Sequence, residues 1–271
     1  MDRQLFIICF LTFVIHLIGT LAYSVRIAGI RTRKIALSFS MFNILILISR
    51  TSNSFQAPIL GKRIEDNIAL HKGLPNADTM LMDFRWLLIS ATLATIIGAL
   101  MIPTCQRFFT KAVMHFQTHR SLPKLMMHCL FKFEASKAKE ILCLPSISNI
   151  TKVKYGKGIS TRIIVLNIIA VALWTIGVLA SYYAGYLNPD LRLTSSSLSS
   201  IINGVSTIMM FVFIDPQLSM LTDDVVEGKM TEPEFRSSIV WLVGSRLAGT
   251  LLAQLLIVPA AQVIVYVAEW M

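Results

Sequence analysis

A stripe of polar residues interrupts an otherwise apolar stretch near residue 50. Its members occupy two adjoining faces of a helix and are Asn43, Arg50, Ser54, Ser49, Asn53 and Gln56. Arginine suits an anionic ligand, because its planar guanidinium donates paired hydrogen bonds and stays charged. Asn43, Asn53 and Gln56 add amide groups to the same stripe. Two roles are open for Arg50: binding an anionic ligand, or snorkelling from a membrane helix toward the outer headgroups.

Further polar residues lie in the last two apolar segments of the chain. Arg246 and Gln254 belong to the final segment, and Asp215, followed by Pro216, belongs to the one before it. Counting 1.5 Å per residue from the predicted cytoplasmic ends puts Asp215 and Arg246 at similar depth. One prediction is that Asp215 and Arg246 form an ion pair that holds their helices together. The other is that Arg246, together with Gln254, binds substrate.

The same residues do not form a catalytic or metal-binding pattern. The five histidines and four cysteines make neither a CxxC nor an HExxH string, and His115 and His119 lack a third ligand nearby. No GxxxxGK[ST] phosphate loop is present. In the apolar segments, Asp215 and His16 are the titratable candidates besides the arginines. We therefore expect neither enzymatic activity nor a metal or cofactor.

The segments that carry these polar residues are long enough to cross a membrane. Of 271 residues, 55% are hydrophobic and 15% are charged, and the mean hydropathy is +0.66; soluble domains carry about a quarter charged residues. Apolar runs of roughly 20 residues match the thickness of a bilayer core. The six predicted runs are 5–24, 35–60, 86–105, 163–187, 198–221 and 239–268. The sequence thus predicts an all-α, polytopic membrane protein.

The distribution of basic residues predicts the orientation of these helices. Of 25 lysines and arginines, 17 fall in the segments 25–34, 107–162 and 222–238. Cytoplasmic loops retain such residues, so both termini are predicted to face outside. The net charge of +10 is then explained by loops against an anionic leaflet, without nucleic acid. Residues 108–116 are predicted to form an amphipathic interfacial helix, which either binds lipid headgroups or simply belongs to a loop that stays inside.

Three strings in the first part of the chain have counterparts in the second. The pairs are 18–23 with 176–181, 37–43 with 197–203, and 95–106 with 250–262, at offsets between 155 and 160. The order is the same in both halves, and the second pair aligns Asn43 with Asn203. The similarity indicates an internal repeat of three helices.

Because each repeat has an odd number of spans, the two repeats must cross the membrane in opposite senses. The predicted organisation is a first three-helix repeat over 1–106, a basic cytoplasmic segment with amphipathic helices over 107–162, and a second repeat over 163–271. Inverted repeats of this kind are typical of secondary transporters, whose substrate sites lie between the repeats.

Two strings of the sequence resemble a known family. Residues 48–58, ISRTSNSFQAP, and residues 246–254, RLAGTLLAQ, with Pro259, Ala260 and Ala261 after them, are similar to the Amj family of bacterial lipid II flippases. The resemblance covers the whole chain, including its length, six spans and basic central loop.

The resemblance implies a substrate and a location. The substrate is lipid II, the undecaprenyl pyrophosphate-linked disaccharide-pentapeptide used for peptidoglycan, moved from the cytoplasmic to the outer leaflet of the bacterial cell membrane. Such a protein acts in cell wall biogenesis beside, or in place of, the MurJ flippase. Two alternatives stay open on the residues alone: a membrane-embedded enzyme acting on a polyprenyl or phospholipid, and an ion or solute channel.

Overall fold

A computed structural model describes residues 2–70, 77–119, 143, 145 and 158–271. Within these residues all regular structure is helical. The α-helices are α1 (Arg3–Thr32), α2 (Ile35–Leu70), α3 (Ala77–His119), α4 (Thr161–Leu187), α5 (Arg192–Ser197), α6 (Ser199–Met209), α7 (Asp215–Val226) and α8 (Glu232–Trp270). A 3-10 turn (Pro189–Leu191) precedes α5, and a π-helical segment (Met210–Ile214) joins α6 to α7.

Among the described residues, six helices are long and apolar enough to cross a membrane, which confirms the predicted class. They are α1, α2, α3, α4, the composite span Pro189–Val226 built from α5 to α7, and α8. Most of them extend beyond the apolar runs. The first run ends at Ser24, whereas α1 continues to Thr32 because Arg26 and Arg31 find partners on the second half of the protein. Hydropathy alone cannot register such partners.

The stretch 108–116 does not form a separate interfacial helix. It is the last part of α3, which runs without interruption from the third span to His119. Phe109, Ala112 and Val113 are buried on one face of this extension, and Lys111 and His115 are exposed on the other. The predicted boundary at residue 106 therefore lies inside a helix, and most of the basic segment beyond it lies outside the described residues.

In the first half, α1 lies between α2 and α3. The Ser90 hydroxyl of α3 donates to the Cys9 carbonyl of α1 at 2.6 Å. Further along both helices, Gly98 faces Thr20 so closely that a Cβ on Gly98 would lie 2.8 Å from the Thr20 Cβ. The contacts keep a nearly constant separation in the chain, so α1 and α3 run in the same direction.

The second half repeats this arrangement with α4 between α6 and α8. The Asn167 amide of α4 donates to the Ser245 hydroxyl of α8 at 2.7 Å, and Asn188, at the end of α4, donates to Glu269 at 3.2 Å. Helices α4 and α8 therefore also run in the same direction, with a separation in the chain close to that of α1 and α3.

The two halves run in opposite directions where they meet. Arg31 near the end of α1 donates to Glu232 at the start of α8 at 2.9 Å, and Gly19 in the middle of α1 lies against Arg246 in the middle of α8. Both termini consequently lie at one end of the bundle, which we call the terminal end. The opposite end, with Arg31, Glu232 and Arg236, is the basic end.

Of the three apolar clusters in the described residues, two fill the ends of the bundle, and the third lies within the first half around Ile18 and Phe42. The terminal cluster combines residues of both halves, including Leu5, Leu60, Phe84, Tyr183 and Ile257. The basic-end cluster does the same, with Tyr23, Ile163, Leu218, Phe235 and Leu242 among its members. Burying these side chains between the halves removes their apolar surface from contact with water and lipid headgroups. The two end clusters leave the middle of the bundle to other residues.

The crossing of α4 and α8 depends on one glycine. A Cβ on Gly249 would lie 2.7 Å from the Ile168 carbonyl oxygen, which is backbone and cannot turn aside, whereas a Cβ on Gly244 would meet nothing within 4 Å. We expect Gly249→Ala to destabilise the protein by about 1–3 kcal/mol and Gly244→Ala, on the same helix, to leave it unchanged or slightly more stable. Thermal unfolding in detergent measures the difference, and equal unfolding temperatures would contradict this account of the crossing.

Candidate functional site

A polar layer separates the terminal cluster from the basic-end cluster. Its members are buried side chains of α1, α4 and α8 that lie between the two clusters along each helix: Thr12, His16, Thr20, Asn167, Thr175, Ser245, Arg246 and Thr250. Most of their hydroxyls donate to the carbonyl three or four residues earlier in the same helix, but Arg246 and His16 have no such local partner. A polar layer halfway along the spans, between two antiparallel halves, is where transporters bind their substrates.

A small cavity opens within this layer. It has a volume of about 20 Å³, enough for a water molecule. Both halves line it, with polar residues Thr12, His16, Asn53, Gln56, Thr175 and Asn203 and apolar residues Ile15, Trp174, Val178 and Leu179. The cavity is thus the place where α1 and α2 of the first half face α4 and α6 of the second.

Two residues of the predicted α2 stripe reach this cavity. Asn53 lines it directly, and the buried Gln56 donates from Nε2 to Thr12 Oγ1 at 2.7 Å. The same Thr12 hydroxyl donates to the Ile8 carbonyl at 2.8 Å, so Thr12 accepts the bond from Gln56. This pair joins α2 to α1 and directs part of the stripe inward.

The other two residues of the stripe that were predicted to bind substrate, Arg50 and Asn43, are exposed. Arg50 lies one helical turn before Asn53 and about 60° around the helix from it, which puts it at the margin of the cavity. Asn43 lies two turns further toward the basic end, outside the cavity lining.

The register between α1 and α2 gives the depth of Arg50. Gln56 is bonded to Thr12, and Ser38 lies against Gly29, so Arg50 stands opposite the middle of the 30-residue α1. Either end of α1 is then about 20 Å away along the helix. An arginine side chain is much shorter than that distance, which favours a ligand role for Arg50 over snorkelling to the headgroups.

Arg246 is the most deeply buried cation among the described residues, with 4% of its surface exposed. Its guanidinium occupies the space left by the missing side chain of Gly19, where a Cβ would clash with it. The guanidinium interacts with the Tyr23 hydroxyl, and Nε has no hydrogen-bond partner among the described residues. A charged group in this state costs free energy unless a ligand or another conformation offers it a partner.

The predicted ion pair between Asp215 and Arg246 is replaced by a different one. Asp215 lies 3.2 Å from Arg26 of α1, and Arg26 also contacts Ser219 at 3.4 Å and the ring of Phe39 at 4.8 Å. Depth counting had placed Asp215 level with Arg246, whereas Asp215 contacts Arg26, two turns along α1 from the Gly19 that lies against Arg246. Because the π-helical segment immediately precedes Asp215, the direction of its side chain was not predictable from a regular helix.

Gln254 lies apart from the cavity. Its Nε2 donates to the Arg85 carbonyl of α3 at 3.4 Å, so it contacts the opposite half of the protein at the terminal side of the polar layer. The structure therefore places two predicted substrate-binding residues, Asn53 and Gln56, in the cavity wall. Arg50 lies at the margin of the cavity, and Arg246 lies close to the cavity but not in its lining. Asn43 and Gln254 lie outside it.

Eight residues of the cavity wall were not predicted as binding residues, and two of these have a buried polar atom without a partner. His16 is buried to 4% exposure and its Nδ1 has no partner, and the Oδ1 of Asn203 is also buried without one. Gly177 makes room for the Asn203 side chain just as Gly19 does for Arg246. The predicted repeat aligns Gly19 with Gly177 and Asn43 with Asn203. This internal similarity was the signal in the sequence that could have identified Asn203. Among the described residues, no group of His, Cys, Asp and Glu has the composition to hold a metal ion.

Contacts between the halves close the cavity toward both ends. At the terminal end, Tyr186 donates to Asn67 at 2.7 Å and Arg192 lies 3.7 Å from Glu65. At the basic end, the pairs formed by Arg26 and Arg31 described above do the same. The structure is thus a closed arrangement of the two halves around the polar layer.

A further charge cluster ties the N-terminus to the terminal end. Arg63 lies 2.7 Å from Asp2 and 2.6 Å from Asp83. The pKa of Asp2 is lowered, first because its carboxylate accepts the Leu5 N–H at 2.8 Å and then because Arg63 is adjacent. The stability that this carboxylate gives to the start of α1 is complete above its ordinary pKa. It is lost as the pH falls through the lowered pKa.

The chain is similar to known proteins over almost its whole length. The family model described as "Amj: Alternate to MurJ" matches residues 11–268. The lipid II flippase Amj of Bacillus subtilis (strain 168) is 37% identical over 269 residues, which covers 99% of this chain and 97% of that protein. No solved structure matches the chain. The match over nearly the whole length of both proteins shows that the chain belongs to the Amj family.

Proposed function

We propose that this protein is a lipid II flippase of the bacterial cell membrane, a transporter rather than a catalyst. The observation that carries the proposal is the full-length similarity to a lipid II flippase, supported by a polar layer at mid-depth between two antiparallel halves. The repeat strings of the sequence and the matching directions of α1, α3, α4 and α8 support a 3+3 inverted repeat, divided near residues 106 and 163.

The substrate poses a problem that this layer can solve. Lipid II has a polar, anionic head that cannot cross hydrocarbon unaided and a polyprenyl tail that can stay in lipid. A route at mid-depth needs cations for the pyrophosphate and amides or hydroxyls for the sugars and peptide. Arg50 and Arg246 supply the charge, and Asn53, Gln56 and Asn203 supply hydrogen bonds.

The cavity in its closed form holds only about one water, so the halves must part for the head to enter. The links at the two ends suit alternate opening. Release of Arg26 from Asp215 and of Arg31 from Glu232 opens the basic end, and release of Tyr186 from Asn67 and of Arg192 from Glu65 opens the terminal end. Alternating access of this kind carries a bound group across the membrane without a continuous pore.

An inside-negative membrane potential favours this direction of movement. An anionic head that crosses the full field outward gains about 2.3 kcal/mol per charge per 100 mV. With both termini outside and the basic end in the cytoplasm, the head enters at the basic end and leaves at the terminal end. No nucleotide-binding loop is required for such a step.

Complementation tests the proposal. In a bacterium depleted of its other lipid II flippase, expression of this protein is expected to restore growth and the exposure of lipid II on the outer leaflet. The control is the same host expressing an unrelated membrane protein of similar size. Failure to restore either readout, with normal insertion and amount of the protein, would remove lipid II as the substrate and leave the fold unaffected.

A further inference from the structure

His16 is the titratable residue of the cavity wall, and its surroundings set it apart. The ring is almost fully buried, lines the cavity and has an Nδ1 with no partner among the described residues. Buried imidazole nitrogens are normally bonded to protein or ordered water. The Nδ1 of His16 is buried in the closed structure, so it has a hydrogen bond to gain when the cavity opens to a ligand or water.

The groups that face His16 from α2, α3, α4 and α6 are neutral, and α8 contributes a cation. Helix α3, which packs along α1, carries no charged residue or histidine between Arg85 and Arg107. Helices α2, α4 and α6 contribute Asn53, Gln56, Thr175 and Asn203 to the shared cavity, all uncharged. Helix α8 contributes Arg246, which acts electrostatically on His16 and lies against Gly19, one turn along α1. On α1 itself the next ionisable group is Tyr23, beside Arg246.

Two positive charges so close together in a buried site repel each other, and the described residues supply no carboxylate among these neighbours to offset them. The empty cavity therefore accommodates one cation, Arg246. The balance changes when an anion enters, because an anion attracts both groups and compensates the repulsion between them.

We propose that His16 contacts the phosphate-bearing head of the transported lipid and takes up one proton when that head enters the cavity beside Arg246. The protonated imidazolium and the guanidinium then face the two negative charges of a pyrophosphate diester. This inference rests on the proposed function and names the chemistry of its site: a headgroup with two phosphate charges, bound together with a proton. The proton comes from solvent and forms an N–H bond on the imidazole, and no bond of the lipid forms or breaks.

Linkage gives this proposal a measurable form. If headgroup binding takes up a proton, the proton must strengthen headgroup binding by the same free energy. The affinity is then highest at low pH and falls as the pH rises, by up to about tenfold per pH unit where the empty site is neutral and the occupied site is protonated. A site that binds through Arg246 alone shows no such slope.

The probe is a short-chain, water-dispersible lipid II analogue, whose pyrophosphate diester keeps its charge between about pH 5.5 and 8.5. Binding to the purified full-length protein in detergent is measured by calorimetry across this range, in two buffers with different heats of ionisation. We expect uptake of about one proton per bound analogue and an affinity that weakens with increasing pH. His16→Gln, which retains a neutral hydrogen-bonding side chain, should show neither effect.

His115→Gln is the matched control, because His115 is exposed on α3 away from the cavity, and it should keep the wild-type slope. His16→Asn serves as a second variant if the glutamine protein does not fold. Proton uptake that persists in His16→Gln or His16→Asn would overturn the inference, and affinity for sulfate equal to that for the analogue would overturn the lipid-headgroup assignment. Successful complementation without proton uptake refutes this inference alone, whereas proton-linked binding without complementation refutes the proposed function alone.

Discussion

Replacement of Arg50 by glutamine is expected to abolish outward movement of lipid II while the protein still inserts and folds. Arg50 is exposed at mid-depth, one turn from Asn53 in the cavity wall. Its side chain does not support the packing of α2, so its loss should not affect stability. Loss of a paired, charge-assisted contact to phosphate costs about 2–4 kcal/mol, which corresponds to roughly a 30- to 700-fold lower transport rate.

The lysine variant separates the two roles that the sequence left open. A point charge cannot reproduce the paired hydrogen bonds of a guanidinium, so Arg50→Lys should restore only part of the activity. A cation required merely for anchoring would be replaced almost fully by lysine. Flipping in proteoliposomes and growth of the depleted host measure both variants.

Lys62 provides the control on the same helix. It is exposed near the terminal end, where it pairs with Asp66 one turn away at 3.4 Å, and lies outside the cavity lining. Lys62→Gln should therefore leave transport unchanged. Full activity of Arg50→Gln at normal protein levels would exclude Arg50 from headgroup binding.

Replacement of Arg246 by methionine is expected to eliminate transport without destabilising the protein. The guanidinium is buried with no carboxylate among the described residues to neutralise it, and its Nε has no partner. Insertion scales assign a central arginine a cost of about 2.5–3.5 kcal/mol, and an apolar side chain of similar length removes that cost. The unfolding temperature of Arg246→Met should stay the same or rise, while transport falls at least 100-fold, as expected when the buried cation next to the cavity is lost.

Arg236 offers a contrast on the same helix. It donates to Gln106 at 3.1 Å and lies 3.1 Å from Glu232, at the basic end and away from the cavity. Arg236→Met should lower the unfolding temperature and leave transport largely intact. A fall in the unfolding temperature of Arg246→Met that matches its loss of transport would show that Arg246 is a structural residue.

Exchange of the charges of Arg246 and Asp215 distinguishes the predicted ion pair from the observed one. Because Asp215 lies against Arg26, the double variant Arg246→Asp with Asp215→Arg should not recover activity. The corresponding exchange between Arg26 and Asp215 should restore the stability that either single change removes. Recovery of transport by the first exchange would place Arg246 beside Asp215 in a functional state of the protein.

Particular residues show how far sequence reasoning reached. Arg50, Asn53 and Gln56 were recognisable because a helical stripe of polar residues in an apolar run is a local pattern. His16 was not, since a lone histidine in such a run usually serves packing and has no local feature that indicates a ligand. Arg26 was assigned to a loop, because hydropathy treats its charge as unfavourable and cannot include the Asp215 carboxylate that neutralises it.

The sequence by itself determined which segments are membrane helices and that the chain is an Amj-type protein. Apolar length, helical periodicity and family strings are properties of consecutive residues, so they need no knowledge of neighbours. Only the tertiary structure decided which polar residues meet. Gly19 and Gly177 let Arg246 and Asn203 approach from other helices, and the antiparallel packing of the halves brings His16, Asn53 and Asn203 around one cavity. Such contacts depend on the crossing of helices far apart in the chain, which no local pattern specifies.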